Sequence, residues 1–223
     1  MTIEARPVRS KDMVPFACRL CGACCRDLED KLMLEPLDAY HLARYLRDSG
    51  DDISNIEDVY TRYTHASFLD GIYPMFLMNT QGEDHACVLL ENGRCRVYEA
   101  RPRTCRLYPF SVDTGTRGRR FAYFQSLDSH KDHFAGRGVS VESWMYENFT
   151  REARAFVEAE NSVLPELGRL LQGLGDDGWR STLFQLLYYR YYNYDLEQPF
   201  LPQYQANQQA LLEALRRELS RGE

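Results

Sequence analysis

Residues 16–26 read Phe16-Ala17-Cys18-Arg19-Leu20-Cys21-Gly22-Ala23-Cys24-Cys25-Arg26, so four cysteines fall within one short stretch. A gap of two residues separates Cys18 from Cys21 and Cys21 from Cys24, and it lets two thiolates converge on one metal centre from a tight turn. Backbone N–H groups in such a turn can point at sulfur and stabilise its negative charge. Gly22 would relieve crowding where the loop bends around the metal. The stretch therefore predicts a thiolate metal centre.

The spacing of the first three cysteines bears on the kind of metal. Successive two-residue gaps at Cys18, Cys21 and Cys24 favour an iron–sulfur cluster, because one cuboidal cluster accepts nearby thiolates on different iron atoms. The same gap occurs in structural zinc sites, so zinc stays open as the alternative. Cys24 and Cys25 are adjacent, and neighbouring side chains generally diverge. We therefore expect these two to serve different centres, or one of them to be a spare thiol.

A second group of cysteines, Cys87, Cys95 and Cys105, supplies the ligands that the first group lacks. Asn92-Gly93 is a strong signal for a hairpin turn, and this hairpin would bring Cys87 and Cys95 close together. Pro102 would end the following turn and aim Cys105 back. The total of seven cysteines is odd and no secretory signal is evident, so disulfides are disfavoured and metal binding is favoured.

Arginines surround the second group of cysteines. Arg94, Arg96, Arg101, Arg103 and Arg106 share the window 94–106 with a single acid, Glu99, which gives this window a charge of +4. Nearby cations lower the pKa of a thiol and stabilise its metal-bound form. The arginines could equally form an exposed basic loop, or a patch that binds an anionic substrate or partner.

Composition excludes several classes of function. The 223 residues include 27 basic and 33 acidic side chains, and this net charge of −6 makes nucleic acid an unlikely partner. No stretch of about 18 apolar residues predicts a membrane span. The first residues lack the apolar segment of a secretory signal, so we expect a cytoplasmic protein whose thiols stay reduced.

Helix and strand signals divide the chain into two parts. Helices are predicted from Pro36 to the Ser49-Gly50 stop, over 51–63, from about 141, over 179–194 and over 203–219. Strands are predicted at 73–78, around Asn92-Gly93 and on both sides of 113–118. The aromatic run 188–194 is interpreted as helix packing rather than as a surface for flat ligands.

We therefore predict a mainly α fold with small irregular β-hairpins, in which a metal-stapled cysteine-cluster core is followed by C-terminal helices. Residues 1–138 would form the cysteine-cluster metal-binding region. Residues 139–223 would form a helical region packed on the first as one globular unit.

The cysteine pattern resembles a known family. Phe16-x-Cys18-x2-Cys21-Gly22-x-Cys24-Cys25-Arg26, Cys87 and Cys95-x-Val97-Tyr98-Glu99-x-Arg101-Pro102-x2-Cys105-Arg106-x-Tyr108-Pro109-Phe110 match the YkgJ-type cysteine-cluster family of zinc- or iron-chelating proteins. The flagellin lysine N-methylases carry a similar module. The resemblance covers residues 16–110 and implies a metal centre on the seven cysteines, without implying a reaction.

The resemblance also raises the question of an eighth ligand. Many family members have a further cysteine 20–30 residues after the last one, about where this chain has His130 and His133. Two closed four-ligand sites need eight donors, and the cysteines supply seven. Because imidazole can replace thiolate on zinc and on iron, His130 or His133 is our candidate to complete the second site.

Three functions follow from these observations. The first is a metal-binding protein with an iron–sulfur cluster, 4Fe–4S in type, on Cys18, Cys21, Cys24 and one later cysteine. Cys25 and the rest would hold a second metal, in an electron-transfer or metal-chelating role with a protein redox partner. The second is a structural zinc protein. The third is a cluster-dependent enzyme that modifies a protein substrate, as a methyltransferase or oxidoreductase.

Overall fold

The computed structural model describes residues 5–115, 120–127, 134 and 138–222. Its strands are β1 Ala5–Val8, β2 Met13–Pro15, β3 Thr64–Leu69, β4 Tyr73–Met78, β5 Thr80–Gln81, β6 Ala86–Cys87, β7 Leu90–Glu91, β8 Arg94–Cys95, β9 Phe110–Thr114, β10 Phe121–Ser126 and β11 Gly138–Ser140. Its helices are α1 Pro36–Asp48, α2 Ile56–Tyr63, α3 Arg103–Leu107, α4 Val141–Asn148, α5 Arg151–Leu187 and α6 Phe200–Gly222. Short 3₁₀ turns cover Ala23–Cys25 and Tyr98–Ala100, and a π-helical segment covers Tyr188–Tyr192.

The predicted fold class is wrong. Helices make up about 50% of the structure and strands about 21%, in several small antiparallel sheets, so the fold is mixed α/β rather than mainly α. The predicted metal-stapled core is also wrong, because no group of metal-ligating side chains among the described residues is arranged to hold an ion. Aromatic and aliphatic side chains fill the interior instead, and of the seven cysteines only Cys87 is buried.

The chain packs as two compact units, and each is made of two separate segments. Unit 1 comprises Met1–Leu32 and Asn79–Val157, and unit 2 comprises Met33–Met78 and Glu158–Glu223. All seven cysteines belong to unit 1. The predicted division at residue 138 into a cysteine-cluster region and a helical region stays a prediction.

Unit 1 is built from small antiparallel sheets around an aromatic core. β10 pairs with both β1 and β9, while β2 pairs with β11. The Phe16 ring meets Trp144 edge-on at 5.3 Å between ring centroids, and the Trp144 indole N–H donates a 2.8 Å hydrogen bond to the carbonyl of Leu107. This packing places the start of the first cysteine stretch directly on the core.

Unit 2 contains α1, α2, the β3–β4 hairpin, α5 from Glu158 onward and α6. The predicted strand 73–78 is confirmed as β4, and the first predicted helix is confirmed as α1. α2 begins at Ile56 rather than at 51, because Asn55 accepts a hydrogen bond from the Asp58 amide and forms a capping box. The helix predicted over 203–219 is confirmed within α6, whose leucines pack into a core with leucines of α5.

The long helix α5 departs from the prediction. It runs without a break through Pro165 and Gly178 up to Leu187. The sequence had predicted a separate helix that starts at 179. Glycine inside a helix costs about 1 kcal/mol, which burial of several leucines outweighs. The aromatic run after it packs as predicted: Tyr191 lies edge-on to Tyr60, and Tyr194 stacks on Phe200.

Candidate metal centre

The first cysteine stretch packs against the hairpin that carries Cys95 of the second group. Gly22 has φ +69°, and a Cβ atom there would lie 2.8 Å from the carbonyl oxygen of Gly93 and 2.9 Å from a methyl carbon of Leu90. Only glycine fits this close approach. Directly after Gly22 the chain makes a 3₁₀ turn, in which the Cys25 amide donates to the carbonyl of Gly22 at 3.0 Å.

The second group of cysteines sits on three short elements. The predicted hairpin at Asn92-Gly93 is confirmed: both residues have positive φ, and β7 and β8 pair Leu90 with Cys95 across this two-residue turn. Cys87 lies on β6, opposite Thr80 of β5. Cys105 lies in α3, whose first turn follows Pro102.

Five thiols share one neighbourhood, which we call the inner thiol group: Cys24, Cys25, Cys87, Cys95 and Cys105. The Sγ atoms of Cys24 and Cys25 are 4.0 Å apart. Cys24 is also close enough to Cys87 and Cys95 to raise the pKa of each thiol, and Cys25 is similarly affected by Cys95 and Cys105. The sulfurs of Cys24 and Cys25 thus lie close together rather than diverging, while the prediction that these two cysteines serve different centres stays a prediction.

The remaining thiols, Cys18 and Cys21, are both exposed, and we call them the outer pair. The Cys18 Sγ lies 4.0 Å from the Tyr98 hydroxyl. Leu20, between the two cysteines, has φ +54° and is half exposed. The seven cysteines are thus divided into a shielded group and a solvent-facing pair.

The protein environment favours the protonated thiols of Cys25, Cys87 and Cys95 in the absence of a metal. The hydrogen bond with Cys24, burial and the neighbouring thiols raise the pKa of Cys25. Burial raises the pKa of Cys87 and Cys95, although backbone amides at Leu89 and Val97 partly oppose it. A metal ion that binds here must therefore displace protons.

The arginine window has more than one role. The Arg101 guanidinium lies 3.8 Å from the centroid of the Tyr98 ring, donates to the carbonyl of Tyr98 at 2.9 Å and opposes part of the rise that burial causes in the pKa of Cys95. It therefore matches the interpretation in which arginine stabilises thiolate. Arg96 pairs with Glu91 at 3.7 Å instead, and Arg94 is exposed.

Sequence reasoning did not assign Tyr98 or Gly93 to the site. Tyr98 adjoins Cys18, and Gly93 receives Gly22. Tyr98 stands in the family motif between Cys95 and Cys105, and this position was the signal that could have assigned it to the site. His130 and His133 lie outside the described residues, so their role as an eighth ligand stays a prediction.

The sulfurs of Cys24 and Cys25 are spaced as two ligands of one thiophilic metal ion would be, although the described residues form no complete metal site. Across the described ranges, no three or more His, Cys, Asp or Glu side chains are placed to hold an ion. With Zn–S distances of about 2.3 Å, two sulfurs on one tetrahedral ion lie about 3.8 Å apart. The distance of 4.0 Å between the Sγ atoms of Cys24 and Cys25 is close to this sulfur–sulfur distance.

A unit that gathers seven cysteines, with none of them in a disulfide, defines a cysteine-cluster protein of the metal-chelating class. The family model described as "CxxCxxCC: Putative zinc- or iron-chelating domain" matches residues 17–132, more than half of the chain, and the chain belongs to this family. The family resemblance seen in the sequence is thereby confirmed. No curated protein and no solved structure matches the chain.

The family description supports chelation of zinc or iron, and it specifies neither an iron–sulfur cluster nor an enzymatic reaction. Within the described part of the chain, no helix has a stretch long and apolar enough to cross a membrane.

Proposed function

We propose that the protein chelates a single zinc or iron ion through four thiolates of the inner thiol group. The observation that carries this proposal is the 4.0 Å separation of the Cys24 and Cys25 sulfurs, with three more thiols in the same neighbourhood. Two thiolate sulfurs that bind one ion lie about this close together, whereas thiolates on different iron atoms of a cuboidal cluster point away from one another. The bound ion would supply a fixed positive charge that holds the thiolates together.

The residues of this chain act around that ion in distinct ways. Gly22 and Gly93 hold the two cysteine segments against each other. The charge of Arg101 partly offsets the burial that raises the pKa of Cys95. The raised pKa values of Cys25 and Cys87 oppose ionisation, so the thiols give up their protons only when a metal takes their place.

A second candidate is an iron–sulfur protein with an electron-transfer role. The spacing Cys18-x2-Cys21-x2-Cys24 supports it, because the pattern is common among cluster ligands. In that arrangement Cys18 and Cys21 would be permanent ligands, and a protein redox partner would be required.

Metal and sulfide analysis of anaerobically purified protein tests these candidates. We expect one zinc or iron per chain, no inorganic sulfide, and loss of that metal in Cys24→Ser. The matched control is Cys18→Ser, which alters an exposed thiol and should keep the metal. Stoichiometric sulfide with broad visible absorption would establish the iron–sulfur candidate instead. A Cys24→Ser protein that binds metal as tightly as the wild type would overturn the inner-group assignment.

A further inference from the structure

The outer pair differs from the other cysteines in its access to solvent. Cys18 and Cys21 are exposed, whereas Cys87 is buried and Cys24, Cys25, Cys95 and Cys105 are half-buried. A hydrated ion, or an ion still held by a donor molecule, can reach the outer thiols without displacing protein atoms. It cannot reach the buried sulfur of Cys87 in the same way.

The turn between the outer cysteines has an unusual backbone. Leu20 adopts φ +54°, a left-handed conformation that costs a non-glycine residue about 1–2 kcal/mol. Its side chain is half exposed, so burial does not repay that cost. Strain of this kind tends to persist where it positions functional groups. Here it shapes the two-residue turn that presents Cys18 and Cys21.

The outer pair adjoins the inner thiol group through two contacts. Cys18 lies 4.0 Å from the hydroxyl of Tyr98, whose ring is covered by Arg101, and Tyr98 stands three positions after Cys95. On the other side, Gly22 directly follows Cys21 and abuts Gly93, two positions before Cys95. These two contacts connect the segment of the outer pair with the segment that carries Cys95 of the inner thiol group.

We infer that Cys18 and Cys21 are a metal-loading pair, which accepts a soft divalent ion from a donor and passes it to the inner thiol group. This inference rests on the proposed function of that group. Each thiol that binds the ion releases one proton, and each outer thiol that lets go takes one back. The transfer is ligand exchange without oxidation or reduction, and the donor is a weaker thiol or nitrogen chelator.

The Cys18→Ser/Cys21→Ser double variant tests the inference with zinc and a chromophoric chelator as the donor. We expect zinc stoichiometry and equilibrium affinity close to the wild-type values, because the inner thiols remain. The rate of zinc transfer from the chelator should fall by at least about tenfold, the change that a barrier higher by ~1.4 kcal/mol produces. The readout is the chelator absorbance in stopped flow.

The outcomes separate this inference from the proposed function. An unchanged transfer rate at unchanged affinity would overturn the loading role and leave the inner site intact. A double variant that loses its equilibrium zinc would also overturn it, because the outer cysteines would then be permanent ligands. If wild-type protein binds no stoichiometric metal, the proposed function itself fails. As a second measurement, brief alkylation of the metal-free protein should label Cys18 and Cys21 first and slow zinc uptake to the same extent.

Discussion

At the scale of single residues, one glycine joins the two halves of the candidate metal centre. Gly22 needs both its left-handed backbone and the empty space above its Cα, because a backbone carbonyl of the facing hairpin occupies the position where a Cβ would be. A backbone oxygen cannot rotate away as a side chain can. The approach of the first cysteine stretch to Cys95 therefore depends on this residue.

Gly22→Ala should lower the free energy of unfolding by about 1–3 kcal/mol and weaken metal binding. The strain of a positive φ and the contact with Gly93 both contribute. Gly71→Ala is the matched control, because Gly71 has φ +74° and no atom lies within 4 Å of the place that its Cβ would take, so only the backbone cost applies. Urea unfolding of the two variants measures the difference. Equal losses of unfolding free energy in the two variants would show that the contact with Gly93 adds nothing to the cost of Gly22→Ala.

A buried hydroxyl offers a second test at this scale. Tyr60 is 2% exposed, and its hydroxyl has no hydrogen-bond partner among the described residues. Burying an unpaired polar group is unfavourable, so Tyr60→Phe should leave stability unchanged or raise it. Tyr194→Phe is the control, since the Tyr194 hydroxyl donates to the carbonyl of Arg190 at 3.0 Å, and its loss should cost about 1 kcal/mol. A clear loss of stability in Tyr60→Phe would contradict the assignment.

At the scale of elements, the π-helical segment after α5 carries a charge into the interior of unit 2. Arg190 lies in this segment and is 5% exposed, and its guanidinium pairs with Glu160 of α5, including a 3.2 Å hydrogen bond. The hydroxyl of Tyr204 on α6 donates to the same carboxylate. The ion pair thus links the segment with two helices, and a π turn often marks such a specialised position.

Arg190→Met should destabilise the protein by about 3–5 kcal/mol, because it leaves the largely buried Glu160 carboxylate, 13% exposed, without its cation. The double variant Arg190→Met/Glu160→Leu removes both charges and should recover much of that loss. Thermal or urea unfolding of the wild type, both single variants and the double variant gives the coupling energy. A double variant no more stable than Arg190→Met would show that the ion pair is not the source of the effect.

At the scale of the whole molecule, buried tyrosines set the response to alkaline pH. Burial raises the pKa values of Tyr60, Tyr73, Tyr191, Tyr194 and Tyr204 above their ordinary value. An unfolded tyrosine loses its proton near pH 10, whereas these folded ones retain it. The folded state then binds more protons than the unfolded state, so the contribution of these tyrosines to stability is constant below about pH 10 and falls above it.

We therefore expect the free energy of unfolding to fall above about pH 10, by up to about 1.4 kcal/mol per pH unit for each such tyrosine. Urea unfolding at a series of pH values, followed by tyrosinate absorbance, measures the slope. Tyr60→Phe should reduce the slope by about one proton, which separates the tyrosines from the thiols. A slope unchanged in this variant would exclude Tyr60 from the alkaline transition.

The sequence by itself determined the local features of this protein. Cys18-x2-Cys21-x2-Cys24 and the later cysteines identified the family, and the turn signal at Asn92-Gly93 gave the hairpin that carries Cys95. Helix α1 and strand β4 also followed from neighbouring residues alone. These features could be predicted because capping, turn geometry and apolar periodicity act over a few positions.

Only the tertiary structure decided which thiols face solvent and which lie together. The close approach of Gly22 to Gly93 joins segments about seventy positions apart, and β1 pairs with β10 over a still longer separation. The continuity of α5 through Pro165 and Gly178 likewise depends on packing against α6. No local pattern encodes such contacts, because burial between distant segments, rather than the preference of each residue, supplies the free energy that selects them.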